Sequence, residues 1–250
     1  MESSVLDKNQ FDGQVAVVTG AAQGIGFAIA ERLHKAGATV WILDIDEAAA
    51  KDAAGRLGER AHGHGTDVTD EASVLAARDA VLSGSGRVDV LANNAGVYPA
   101  ETIQEITVES WRRVFDINTL SVFLTCRAFM DPMIEAGYGR MVSIVTCDAY
   151  VPKLSMPHYA ASKAALLSVI RTFAEELAPK GIMVNGVSPG AVATERAKSQ
   201  GWLAKAIPKI PVGYAAEPSD IAETVAYLAS PANRFITGET VLATGGSVMQ

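Results

Sequence analysis

Short, continuous apolar runs recur along the chain, separated by stretches in which apolar residues return every three to four positions. Runs at residues 15–19, 39–43, 61–65, 88–92, 141–145, 182–187 and 240–242 read as strands, several of them apolar enough to be buried on both faces. Between them, residues 27–35 carry Ile29, Ala30 and Leu33 at helical spacing before Gly37 supplies a stop. Further helices are predicted over 46–57, 70–83, 107–136, 157–178 and 219–229, with Pro132 expected to kink or restart the longest stretch. Such βα alternation predicts a single-domain doubly wound parallel sheet of about seven strands flanked by helices, because parallel strands need right-handed crossovers. One long segment, 191–216, lacks clear periodicity and is expected to be a substrate lid.

Composition narrows this picture without changing it. A chain of 250 residues with 49% hydrophobic content suits one catalytic domain over 11–250. No run reaches the roughly 18 apolar residues of a membrane span. Residues 1–10 are rich in acids, amides and serines and read as a loosely attached tail, without the apolar centre of a signal peptide. The net charge of -7 comes without a long basic run, so nucleic acid is not an expected partner. Cys126 and Cys147 form neither a C-x-x-C nor a metal-ligand spacing, which favours a reducing, cytoplasmic setting. His62 and His64 are too few to imply a structural metal, and none is expected.

Two motifs carry chemistry. Thr19-Gly20-Ala21-Ala22-Gln23-Gly24-Ile25-Gly26 lies between the first strand and the first helix. Glycines there permit a tight turn and close packing, and a helix amino end can face phosphates. Asp44, 18 residues beyond Gly26, ends the second strand where a carboxylate can accept from ribose hydroxyls. No Lys or Arg occupies positions 21–23, 45 or 46 to neutralise a 2'-phosphate, so NAD is expected over NADP. The second motif, Tyr159-Ala160-Ala161-Ser162-Lys163, puts a phenol and an ammonium on one helical face. Bringing a phenol from about 10 to about 7 takes roughly 4 kcal/mol. One ammonium at ~4 Å supplies about that at an effective dielectric of ~20.

With Asp67-Val68, Asn93-Asn94-Ala95-Gly96, Asn118 and Pro189-Gly190-Ala191-Val192-Ala193-Thr194 in the same order, the chain resembles the short-chain dehydrogenase/reductase family over nearly its full length. The resemblance implies Tyr159 as general acid/base, Lys163 beside it, Asn118 positioning a water in a proton relay, and Thr194 at the nicotinamide carboxamide. It also implies cofactor contacts from Gly20, Gln23, Gly24, Ile25, Gly26, Asp44, Asp67, Val68, Asn94, Ala95, Gly96, Tyr159, Lys163, Pro189, Gly190, Val192 and Thr194. The family usually has a serine 13 residues before the tyrosine; that position here is Thr146, with Ser143 and Cys147 nearby. Thr146 retains the hydroxyl and is taken as the group that polarises the substrate oxygen. Ala243-Thr244-Gly245-Gly246 departs at the acidic residue many relatives carry, which bears on subunit contacts.

The function expected is NAD-linked interconversion of a secondary alcohol and a ketone, the substrate a small polyol, hydroxy acid or cyclic alcohol. Asp148, Tyr150, Met156, His158 and Trp202 are candidate pocket residues, with His158 directed away from the catalytic face. A 3-oxoacyl-carrier-protein reductase and a catalytically idle NAD-binding sensor are the alternatives. A homotetramer paired through the helices at 107–136 and 157–178 is the expected assembly.

Overall fold

The computed structural model describes residues 9–250. Residues 1–8 of the expected tail lie outside the described residues, while Asn9 and Gln10 form a turn leading to the fully buried Phe11.

The seven strands are β1 (Val15–Thr19), β2 (Thr39–Asp44), β3 (Ala61–Gly65), β4 (Val90–Asn93), β5 (Gly139–Ile144), β6 (Ile182–Pro189) and β7 (Thr240–Ala243). They form one wholly parallel sheet in the order β3-β2-β1-β4-β5-β6-β7. Strand β4 starts later than its apolar run. The Asp89 carboxylate takes the Val15 N–H at 2.8 Å and binds Arg87, while its own N–H still donates to Val15 O at 2.8 Å.

Helices α1 (Gly24–Lys35), α2 (Glu47–Leu57) and α9 (Pro218–Ala229) cover one face, over Ala16, Val18, Val40 and Ile42. Helices α3 (Glu71–Ser85), α5 (Ser121–Ala136) and α6 (Pro157–Leu177) cover the other, over Val17, Leu91, Met141 and Val184. Alternate strand residues thus feed two cores, the consequence of covering a parallel sheet on both sides. Among the described residues no helix is long and apolar enough to cross a membrane.

Two departures from the sequence pattern matter for the site. The long helix over 107–136 is α4 (Val108–Phe115), a π-helical turn (Asp116–Leu120) and α5, which runs through Pro132 without a break. The interruption falls where hydroxyls compete for backbone carbonyls: Ser121 donates to Ile117 O at 2.6 Å and Thr125 to Ser121 O at 2.9 Å. The segment 191–216 holds α7 (Glu195–Ser199) and α8 (Leu203–Ala206). Its ends meet in a parallel bridge between Val192 and Ala216, with Ala193 N donating to Ala216 O at 2.7 Å.

The chain leaves β1 toward β2 and β3, then returns to β4 on the other side. The crossovers diverge between β1 and β4, and a crevice opens at the carboxyl ends of those strands.

Candidate active site

That crevice is a cleft of about 1880 Å³ reaching from Phe27 and Asp44 to Tyr159 and Trp202. Pockets for one small ligand occupy roughly 300–1,000 Å³, so this cleft has room for a dinucleotide and a substrate together.

Its floor is the glycine turn. Gly20 and Gly24 have φ of +59° and +61°, which other residues rarely adopt. A Cβ at Gly26 would stand 2.4 Å from both Asn94 Nδ2 and Gly20 O, so helix α1 can approach the sheet only without a side chain there. Asn94 holds the turn from across the sheet, donating to Gly20 O at 2.8 Å and Thr19 O at 3.1 Å. Thr19 Oγ1 in turn accepts from the N–H groups of Asn94 and Ala95. Helix α1 starts at Gly24, earlier than its apolar spacing begins, and Gln23 gives it no side-chain cap. Its first N–H groups face the cleft with their positive dipole end, a ready anion site.

Asp44 stands at the end of β2, its Oδ2 accepting from Ala22 N at 3.1 Å. The cap of α2 is Asp46, which takes the Ala49 N–H at 3.0 Å and leaves Asp44 facing the cleft. Asp67 bends its own loop by accepting from Thr69 N and Oγ1, while Asp70 caps α3. At this end of the cleft the acids Glu31, Asp44 and Asp67 line the wall, and none of the cleft's Lys or Arg residues comes from segments 20–31, 44–45 or 66–69.

At the other end, α6 starts at Pro157 and presents Tyr159 and Lys163 one turn apart. Lys163 is buried and donates to Ile144 O at 2.6 Å. Burial brings its amine down to about 8. Burial also pushes the Tyr159 phenol above its ordinary value, opposed by a hydrogen bond with the Thr146 hydroxyl and reinforced by Asp148. The expected tuning of phenol by ammonium is therefore not what the protein alone provides: desolvation outweighs it, and Lys163 points its hydrogen bond at a strand carbonyl.

Thr146 follows β5; its Oγ1 accepts from Asp148 N at 3.2 Å, and its hydroxyl is within reach of both the Tyr159 phenol and the Cys147 thiol. Ser143 is fully buried under Asn93, outside the cleft. Cys147 lines the cleft with a thiol that burial pushes up. Asn118, on the π-helical turn, is fully buried and doubly bonded to Val97, accepting from its N–H and donating to its carbonyl, each at 2.9 Å. It also donates to Ser162 Oγ at 3.0 Å, and Ser162 donates to Tyr159 O at 2.8 Å. Gly96 lies between Asn118 Oδ1 and Lys163 Nζ.

Thr194 caps α7, and its methyl group stands over Gly24. Val68, Ala95, Pro189, Gly190 and Val192 line the cleft with Gln23 and Ile25. Among the candidate pocket residues Asp148, Met156 and Trp202 line it, whereas Tyr150 does not. His158 turns into the protein, 3.3 Å from Glu101 and stacked on Trp111. His62 packs on the Trp41 ring, and His64 bonds Thr66 Oγ1. Thr19 and Ser162 stand inside the two motifs without a role that the sequence assigns, and Tyr98 and the Ile144 carbonyl lie outside every motif. Ser162 carries a further signal, being three residues beyond Tyr159 and so on the same helical face.

The doubly wound sheet and its crevice define a nucleotide-binding architecture, and the family match defines an oxidoreductase. The family profile described as enoyl-(acyl carrier protein) reductase matches residues 20–247, and the chain belongs to the short-chain dehydrogenase/reductase family. It is 38% identical over 251 residues to D-threitol dehydrogenase of Mycolicibacterium smegmatis, covering 98% of this chain and 96% of that protein. It is 36% identical over 241 residues to the 3-oxoacyl-(acyl-carrier-protein) reductase of Salmonella typhimurium, covering 96% of this chain and 99% of the relative. The crystal structure of 3-ketoacyl-(acyl-carrier-protein) reductase from Brucella melitensis complexed with NADH superposes with a TM-score of 0.91 at 34% identity, covering 96% of this chain and 100% of that one.

Proposed function

We propose that the protein interconverts a secondary alcohol and a ketone with NAD(H), Tyr159 serving as general acid/base. One observation carries the reading: Thr146, Tyr159 and Lys163 converge in the same cleft as an uncapped helix amino end and an unblocked glycine turn.

The cradle fits a dinucleotide. Gly20, Gln23, Gly24, Ile25 and Gly26 would hold the pyrophosphate, Asp44 the adenosine ribose, Asp67 and Val68 the adenine. Asn94, Ala95, Gly96, Pro189, Gly190, Val192 and Thr194 would flank the nicotinamide half. The acidic adenosine end supports NAD over NADP, because a 2'-phosphate there meets like charge. When bound, the dinucleotide supplies the hydride donor or acceptor.

The protein's own residues supply the rest. Thr146 donates to the substrate oxygen, and Tyr159 gives or takes its proton. Burial keeps the Tyr159 phenol protonated in the free protein, so its proton transfer needs the bound cofactor's positive charge and Lys163 to lower it. Lys163 offers a nearby amine poised close to neutrality, and Asn118 fixes the Val97 loop against α6 beside it. The segment 191–216, pinned at its base by Val192 and Ala216, is the lid that excludes water.

Exposed Trp111 on α4, Leu120 at the end of the π-helical turn and Phe123 on α5 support a homotetramer paired through the helices at 107–136 and 157–178. Cys126 and Cys147 are free thiols, in keeping with a reducing cytoplasmic setting.

The test is a panel of polyols, hydroxy acids and cyclic alcohols, with the matching ketones and a 3-oxoacyl thioester, read by nicotinamide absorbance with NAD(H) and NADP(H). Turnover of an alcohol with NAD that Tyr159→Phe abolishes while NADH still binds is the expected result. Binding without turnover across the panel would favour a sensor, and preference for the thioester the carrier-protein reductase.

A further inference from the structure

The cations of the substrate half of the cleft differ in what they are bound to. Lys153 pairs with Asp148 at 3.1 Å and Lys198 with Glu195 at 2.9 Å. Lys163 is tied to the Ile144 carbonyl. Arg196, on α7 of the lid, has no carboxylate within ion-pair distance among the described residues, and it lines the cleft. Its guanidinium lies over the Tyr98 ring, 4.3 Å from the centroid. The Tyr98 ring is itself 6.0 Å from the ring of Tyr159.

An arginine laid on an aromatic face is held by that face, and the N–H groups at its edge remain free. Its fork matches a carboxylate, and although Arg196 is exposed, its seat on the Tyr98 ring limits the freedom that such a pair would otherwise have to give up. Arg196 is thus a fixed cation one aromatic ring away from the group proposed to handle the substrate's proton. Arg112 and Arg113 also line the cleft from α4, but no contact ties either to Tyr159.

We propose that the substrate is a hydroxy acid, and that Arg196, seated on Tyr98, receives its carboxylate and so sets which carbon faces Tyr159. This rests on the alcohol–ketone reading above and names its substrate class. A monoanion is favoured over a phosphate monoester: Arg196 alone among the unpaired guanidiniums is seated on Tyr98 beside Tyr159, and Lys153 and Lys198 are already held by Asp148 and Glu195. Because Arg196 rides on the lid, the same contact draws the lid down when the correct substrate is present. A neutral polyol lacks that handle.

The test compares short 2- and 3-hydroxy acids with their amides, with neutral diols and with phosphorylated alcohols, using the wild type and Arg196→Met, Arg196→Lys, Arg112→Met and Arg113→Met. For the acid, Arg196→Met should raise KM by about 10- to 100-fold, the scale of losing one charged hydrogen-bond partner. For the amide it should change KM little, and Arg196→Lys should recover part of the loss. Melting is followed in parallel with NADH and a short keto acid. A shift seen in the wild type and lost in Arg196→Met supports the carboxylate site even where turnover fails, which would place the failure in the redox reading. Neutral diols outrunning acids in the wild type would overturn the proposal, as would an acid KM untouched by Arg196→Met. Dependence on Arg112 or Arg113 instead, or preference for the phosphorylated alcohol, would overturn it too.

Discussion

Lys163 donates from a buried Nζ to the carbonyl of Ile144 at 2.6 Å, so the amine that neighbours Tyr159 is anchored to the end of a core strand. The anchor fixes the amine's position, and burial lowers its proton affinity from 10.5 to about 8. Between those values the unfolded chain holds a proton that the folded chain has released. Stability from this group therefore rises with pH across that window, and below it the charged amine costs roughly 3 kcal/mol. Lys163→Met should melt closer to, or above, the wild type at pH 7 than at pH 10, while losing activity. Melting curves of both at several pH values check this; a difference that does not vary with pH would mean the amine is not depressed.

Asp44 does two things, facing the cleft and accepting from Ala22 N at 3.1 Å. Asp44→Asn keeps an acceptor for Ala22 and removes the charge. The expected result is a fall of about 10- to 100-fold in kcat/KM with NAD, the scale of a charged hydrogen bond, and a smaller gap between NAD and NADP. Wild-type efficiency greater with NADP than with NAD would end the cofactor assignment.

Glycines in this chain fall into two kinds. A Cβ at Gly26 meets backbone at 2.4 Å, whereas one at Gly55, inside α2, meets nothing within 4 Å. Gly26→Ala should destabilise by about 1–3 kcal/mol through overpacking and should weaken NADH binding. Gly55→Ala should stabilise by about 0.5–1 kcal/mol through helix entropy alone. Melting temperatures and NADH titration of the two variants separate these outcomes.

The order of strands and helices is legible because most strands carry an apolar run and the helices between them carry a spaced apolar face, although β3 is Ala-His-Gly-His-Gly. Residues 15–19 match β1 residue for residue, and 61–65 match β3. Local competition blurred the rest. The π-helical turn depends on Ser121 and Thr125 reaching carbonyls four residues back, a choice that hydrophobic spacing does not encode. The start of α1 is hidden because glycines at Gly24 and Gly26, poor helix formers, interrupt its first turn. In the site, the motifs placed Tyr159 and Lys163 on one helical face, but the balance of burial against charge depends on strand β5, distant in sequence. Arg196 on Tyr98 joins α7 to a loop roughly a hundred residues away, and nothing in either segment announces the other.

Thr146 is where the chain leaves the family's usual residue, and its surroundings define what a substitution should do. Its Oγ1 accepts from Asp148 N at 3.2 Å, and its O–H stands within reach of both the Tyr159 phenol and the Cys147 thiol, where it can donate to a substrate oxygen. Thr146→Val keeps the branched shape and removes both interactions. Loss of one such donor typically costs about 2.7–4 kcal/mol of barrier, so kcat should fall by about 10²–10³-fold, with NADH affinity unchanged. Thr146→Ser should stay active, with a freer χ1 that lowers the rate and admits bulkier substrates. Ser143→Ala tests the alternative: Ser143 lies outside the cleft beneath Asn93, so its loss should affect stability and leave kcat nearly intact. A Val variant at near-normal turnover beside a crippled Ser143→Ala or Cys147→Ala would move the polarising group away from Thr146.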